Sequence, residues 1–207
     1  AINSADTPPP NVDLELIATT PEQLTSWVSS GVAENVVVRI ELNKKTATWM
    51  LENRASVEAA IDKIHLHQPS HEKMTTAVDE DVRNPRSFFE SLGLPIRTSG
   101  LPACMTPSAI LKEPPADLHA NLFNKETGRF EIRPLARYHV ENRYHGKSVR
   151  CADCRVNNRC EGIPINMVRD QGLRQAQPLV EGPWAENAER QLTDRWPTPP
   201  PRVQDGR

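Results

Sequence analysis

Three of the four cysteines lie in one short stretch, RCADCRVNNRCEG, from Arg150 to Gly162. Cys151, Cys154 and Cys160 follow the spacing C-x2-C-x5-C, and Cys104 lies far upstream in GLPAC. Four thiols are enough for a closed tetrathiolate site. Cys151 and Cys154 are near enough in sequence to bind one metal centre, Cys160 can fold back within the same loop, and Cys104 would close the set. Three chemistries compete. A disulfide pair would strain so short a loop or leave it to pair elsewhere, and no secretory leader is visible to imply an oxidising compartment. Structural zinc bound by four cysteines usually uses two short knuckles, and only one is present. An iron–sulfur cluster takes thiolates from one compact run plus a remote cysteine, which is the pattern here. Gly162 would let main chain approach a bulky cluster, and Arg150, Arg155 and Arg159 would offset its negative charge. Iron–sulfur and zinc both remain open on spacing alone. A cysteine nucleophile with a histidine base has no support, because no cysteine is set apart from the others.

Two other stretches carry polar groups at strand spacing. Arg39, Glu41 and Asn43 alternate with Val38, Ile40 and Leu42, and His65 and His67 alternate before Gln68. Glu41 and Arg39 read equally well as a solvated face or a mutual ion pair. His65, His67 and His71 are expected to line a polar cavity or bond locally. A catalytic zinc site would need a further ligand at a spacing the sequence lacks.

The elements that must position these groups alternate. Leu14 to Ala18, Val36 to Leu42, Asp62 to His67 and Leu94 to Thr98 read as strands, the second rich in β-branched residues. Between them, Thr20, Pro21 and Gln23 form a capping box before a helix carrying Leu24, Trp27 and Val28, with Gly31 as its stop. Thr46 to Ala60 carries a second helical pattern. Asn84-Pro85 opens a third, with Phe88, Phe89 and Leu92 on its apolar face and Gly93 after it. This alternation predicts an α/β fold with parallel strands and helices on one face. Chemistry in such folds sits at the carboxyl ends of the strands. Beyond Cys104, Leu118 to Phe123 and Arg129 to Ile132 predict a hairpin around Gly128. Pro134 opens a helix through Tyr138 toward Gly146. Ile163 to Asp170 predicts a short helix stopped by Gly172, and Trp184 to Trp196 a charged surface helix.

The chain has 207 residues, enough for one good core, with hydrophobic content of 37% and a mean hydropathy of -0.58. A net charge of -2 implies no broad attraction to nucleic acid or to an acidic membrane. No apolar run is long enough to span a bilayer, and AINSADTPPP lacks the features of a secretory signal, so a cytoplasmic setting is expected. Prolines cluster at Pro8–Pro10 and Pro199–Pro201, which predicts poorly ordered ends.

GLPAC, the hairpin, and then LARYHVENRYHGKSVRCADCRVNNRCEGIPINMVRDQGL together resemble the C-terminal part of radical S-adenosylmethionine (SAM) enzymes. The likeness is to their twitch extension, a shortened relative of the SPASM domain. It is strongest from Gly100 to Pro178 and looser over Val12 to Thr98. The resemblance implies an auxiliary [4Fe–4S] cluster on Cys104, Cys151, Cys154 and Cys160, with zinc as the alternative metal. It also implies that residues 13–103 are the last strands of a partial parallel βα barrel. Residues 104–182 would be the cluster domain, 1–12 a linker, and 183–207 a surface helix and Pro-rich tail. Glu41, Asn43, His67 and Gln68 would then border the SAM or substrate pocket. The family's C-x3-C-x2-C motif, which binds the SAM-cleaving cluster, does not occur in this sequence. With Ala1 in place of a starting Met, this leads us to expect a truncated chain. Its partner would be an N-terminal radical SAM half, in the same or a separate chain, carrying SAM and a second [4Fe–4S] cluster. A peptide substrate would fit the family. The competing function, from a different class, is a non-catalytic protein-binding module stapled by zinc.

Overall fold

The computed structural model describes residues 14–30, 36–107, 109–111 and 120–195. The expected linker, the Gly31 stop, the start of the hairpin at Leu118 and the Pro-rich tail lie outside the described residues.

Five strands form one sheet: β1 (Leu14–Ala18), β2 (Val36–Glu41), β3 (Ile64–His67), β4 (Arg97–Ser99) and β5 (Ile110–Leu111). Every neighbouring pair is parallel, and the spatial order is the chain order. Between the strands run α1 (Pro21–Ser30), α2 (Lys44–Glu52), α3 (Arg54–Ala59), α4 (Met74–Glu80) and α5 (Pro85–Leu92). The expected box opens α1: Gln23 N–H donates to Thr20 Oγ1, and Thr20 N–H donates to Gln23 Oε1. Pro85 occupies the first turn of α5, the Asn84 side chain caps it, and Gly93 ends it in the left-handed conformation at φ 62°.

Period-two patterning divides the sheet into two faces. Val38, Ile40, Ile64, Leu66 and Ile96 are buried on one face with Leu24, Met50, Phe89 and Leu92 of the helices. Glu15, Arg39, Glu41, His65, His67 and Ser99 stand at the alternate positions, on the polar face.

Several elements differ from the sequence expectation. The helix expected over Thr46 to Ala60 starts earlier, because Asn43 caps it, and it breaks at Asn53 into α2 and α3. Helix α4 and strand β5 were not anticipated; β5 is too short to carry a pattern. The expected hairpin reduces, among the described residues, to one antiparallel bridge between Phe123 and Phe130, whose stacked rings lie 4.5 Å apart. Helix α6 (Ile132–Asn142) follows directly. A second small sheet, β6 (His145–Gly146) antiparallel to β7 (Ile163–Pro164), clamps the two ends of the cysteine loop. Then come α7 (Ile165–Gln171) and α8 (Pro183–Arg195). Helix α8 is more than a surface helix. Ala185, Ala188 and Leu192 pack with Ala103, Leu111, Val156 and Leu179 into a second core. No helix among the described residues is long and apolar enough to cross a membrane.

Candidate functional site

Cys104 sits in a 3-10 turn, Ala103–Met105, just beyond the carboxyl end of β4. Cys151 belongs to another such turn, Val149–Asp153, capped by the Ser148 side chain. Main-chain bonds tighten the loop: Cys154 N–H donates to Cys151 O and Cys160 N–H to Val156 O. Gly162 closes it at φ 106°, where a Cβ would stand 2.5 Å from Gly146 O, so only glycine lets β6 and the loop exit approach this closely.

All four cysteines are free and partly buried. Cys104 touches both cores, Cys151 borders the first, and Cys154 and Cys160 border the second. Burial pushes the Cys104 thiol up to about 12, with Cys160, Cys154 and Cys151 adding to the shift and a main-chain N–H of Gln177 opposing it. Burial also pushes Cys160 up to about 11, against the Gly162 N–H and the Lys147 charge. Cys154 Sγ accepts a hydrogen bond of 3.4 Å from Leu179 N–H. Three of the four sulfurs therefore have a main-chain donor. The fold gathers the thiols into one neighbourhood, but among the described residues no three Cys, His, Asp or Glu side chains stand at metal-binding spacing.

The cations around the loop differ from the sequence reading. Arg155 is paired with Glu189, and Arg150 donates to the carbonyls of Leu173 and Arg174. Lys147, which the sequence reading missed, is the cation acting on Cys160.

A cavity of about 1300 Å³ opens on the polar sheet face, between the segment after β3 and helix α6. Glu41 and His67 line it, as do Arg39, Arg133, Arg137 and Glu141. Arg39 pairs with Glu15 at 3.2 Å and stands 3.9 Å from Glu41. Arg137 pairs with Glu72 at 2.9 Å. Burial raises the Glu141 carboxyl above its ordinary value. The remaining two pocket candidates are occupied with structure. The Asn43 side chain accepts from Lys45 and Thr46 N–H and donates to Thr19 O. Gln68, almost fully buried, donates to Asp81 Oδ1 and Pro69 O.

The histidines are held by side chains from neighbouring strands and loops. His65 Nε2 and His67 Nδ1 both contact Ser99 Oγ, at 2.7 and 2.8 Å. His71 faces Asp81. Ser99 and Glu15 were missed from sequence. The α6 cations were missed as well, because nothing local marks a helix as the far wall of a cavity.

No family model, curated protein or solved structure matches this chain.

Proposed function

We propose that this chain is the C-terminal part of a radical SAM enzyme and that Cys104, Cys151, Cys154 and Cys160 hold its auxiliary [4Fe–4S] cluster. One observation carries the reading: a cysteine 47 positions upstream of Cys151 in the sequence shares a neighbourhood with all three loop thiols, at the end of a parallel sheet. Consecutive parallel strands in chain order are also what a slice of βα-barrel wall would contain, with the cysteine region as its extension.

The donor set suits the group. It consists of four thiols with main-chain N–H groups at three of them, and such bonds tune cluster potentials. Cys104, Cys151, Cys154 and Cys160 would hold the cluster, and the loop would have to bring them closer, since among the described residues no three ligating side chains stand at metal-binding spacing. Loading must also expel the protons that burial holds on Cys104 and Cys160. When bound, the cluster would supply one-electron transfer or a place to hold substrate. Glu41 and His67 would border the SAM or substrate pocket, and a peptide is the substrate class we favour. SAM cleavage would belong to an N-terminal half carrying the C-x3-C-x2-C motif.

Anaerobic reconstitution tests this. The protein should take up close to four iron and four sulfide ions, turn brown and gain broad visible absorbance. A colourless protein that refuses iron and retains one zinc would overturn the cluster and leave the zinc-stapled binding module.

A further inference from the structure

On the polar face of the sheet, four side chains connect three strands. Glu15 Oε1 on β1 lies 3.4 Å from His65 Nδ1 on β3. His65 Nε2 lies 2.7 Å from Ser99 Oγ on β4, and the same oxygen lies 2.8 Å from His67 Nδ1. The proton positions follow from counting. A carboxylate only accepts, so His65 in its neutral form turns its Nδ1–H toward Glu15 and leaves Nε2 without a proton; a second proton on His65 would reverse the chain. A serine hydroxyl has one proton, so Ser99 donates it to His65 Nε2 and accepts from His67 Nδ1–H. His67 is left with a bare Nε2. Nothing among the described residues bonds that nitrogen, and His67 lines the cavity.

We propose that His67 Nε2 is a proton acceptor in the wall of the cavity, held in that tautomer by the Ser99–His65–Glu15 chain, for a ligand that presents a hydroxyl or ammonium group. The inference does not depend on what the cysteines bind.

The chain also solves a difficulty. Burial first, then the charge of Arg39 and that of His65 when it is protonated, lower His67 to about 4. A ring that resists a positive charge is a poor base alone. Here the charge need not stay on it. The ligand proton moves to His67 Nε2, the Nδ1 proton moves to Ser99 Oγ, and the Ser99 proton moves to His65 Nε2. The ligand has lost one proton, His67 is neutral again as its other tautomer, and the imidazolium rests on His65 beside the Glu15 carboxylate. Around His67 the charged neighbours are Arg39 and Glu41 of β2, the latter its register partner, and His65 of its own strand joins them only when protonated.

The test uses the full chain labelled with 15N-histidine. Long-range proton–nitrogen NMR at pH 6.5–8 should show His67 as the Nδ1–H tautomer. Ser99→Ala should remove that preference. So should Glu15→Ala, made at an exposed position where the fold is little disturbed. Diethyl pyrocarbonate, which acylates an unprotonated ring nitrogen, gives a second measurement. An ordinary histidine with a pKa near 6.5 is only about one-tenth unprotonated at pH 5.5. His67 should keep more than half of its pH 7.5 rate. The proposal fails if wild-type His67 carries its proton on Nε2, or if neither substitution moves the tautomer. It also fails if the acylation rate of His67 falls in step with the other histidines.

Discussion

His71 Nε2 lies 3.1 Å from Asp81 Oδ1, and Asp81 is 2% exposed. The pair ties the segment after β3 to the end of α4. That segment also holds the two parts of the protein together. Asn166 of α7 donates to the carbonyls of His71 and Glu72, and Ser70 Oγ donates to Val140 O of α6. Once the His71 ring is protonated, it and the Asp81 carboxylate form a charge pair.

Asp81 raises the His71 pKa, more than burial lowers it. A folded-state value above the unfolded one gives stability that is complete below about pH 6.5 and is lost as pH rises through the folded value. Urea midpoints should therefore fall between pH 6 and pH 8.5. Asp81→Asn should cost roughly 1–3 kcal/mol at pH 6 and less at pH 8.5. Parallel pH curves for the two proteins would remove the pair from the account.

Asn43→Ala tests whether this residue belongs to the cap or to the pocket. Its side chain accepts from two α2 main-chain donors, and Thr46 Oγ1 answers by accepting Asn43 N–H. The loss should be about 1–2 kcal/mol in chemical denaturation, with iron uptake unchanged. Changed iron uptake in a variant of undiminished stability would return Asn43 to the site.

Gly162→Ala should open the cysteine loop. The new Cβ meets Gly146 O at 2.5 Å, and the φ of 106° is hostile to any side chain. A cost of roughly 2–4 kcal/mol is expected. Iron retention should fall while the far-UV helical signal stays. Gly128→Ala is the control, since its Cβ would meet nothing within 4 Å; it should cost about 1 kcal/mol and leave iron content alone.

Cys154→Ala removes one candidate ligand and the acceptor of the Leu179 N–H. Iron content and visible absorbance should drop together. Residues 104–173 should become protease-sensitive, because metal binding supplies part of their folding free energy. The core of Leu24, Ile40, Met50 and Phe89 should keep the sheet protected. If the wild type takes up no iron and the variant matches it in every respect, the thiols are inert packing, worth about 1 kcal/mol each.

Four of the five strands of the sheet, β1 to β4, were legible because β-branched runs and period-two alternation report local preference. The caps at Thr20 and Asn84 were legible because a cap is a contact between near neighbours in sequence. The sequence also marked the four thiols, since residue type and spacing are themselves the signal.

The tertiary structure decided what could not be local. Ser99 and His65 are 34 positions apart, and His65 and Glu15 are 50 apart. They meet only because parallel register puts β1 beside β2, β2 beside β3 and β3 beside β4. Asn43 and Gln68 looked like pocket residues because both stand at polar strand ends. The Asn43 side chain serves the α2 cap and Thr19 O, and the Gln68 amide N–H groups serve Asp81 and Pro69, while Gln68 Oε1 stays buried without a partner among the described residues. Helix α8 looked solvated because its charges dominate the sequence, yet Ala185, Ala188 and Leu192 form a stripe that found Val156 and Leu179. Local chemistry sets which elements form. Register and burial set which side chains share a site, because those energies exist only once distant segments pack.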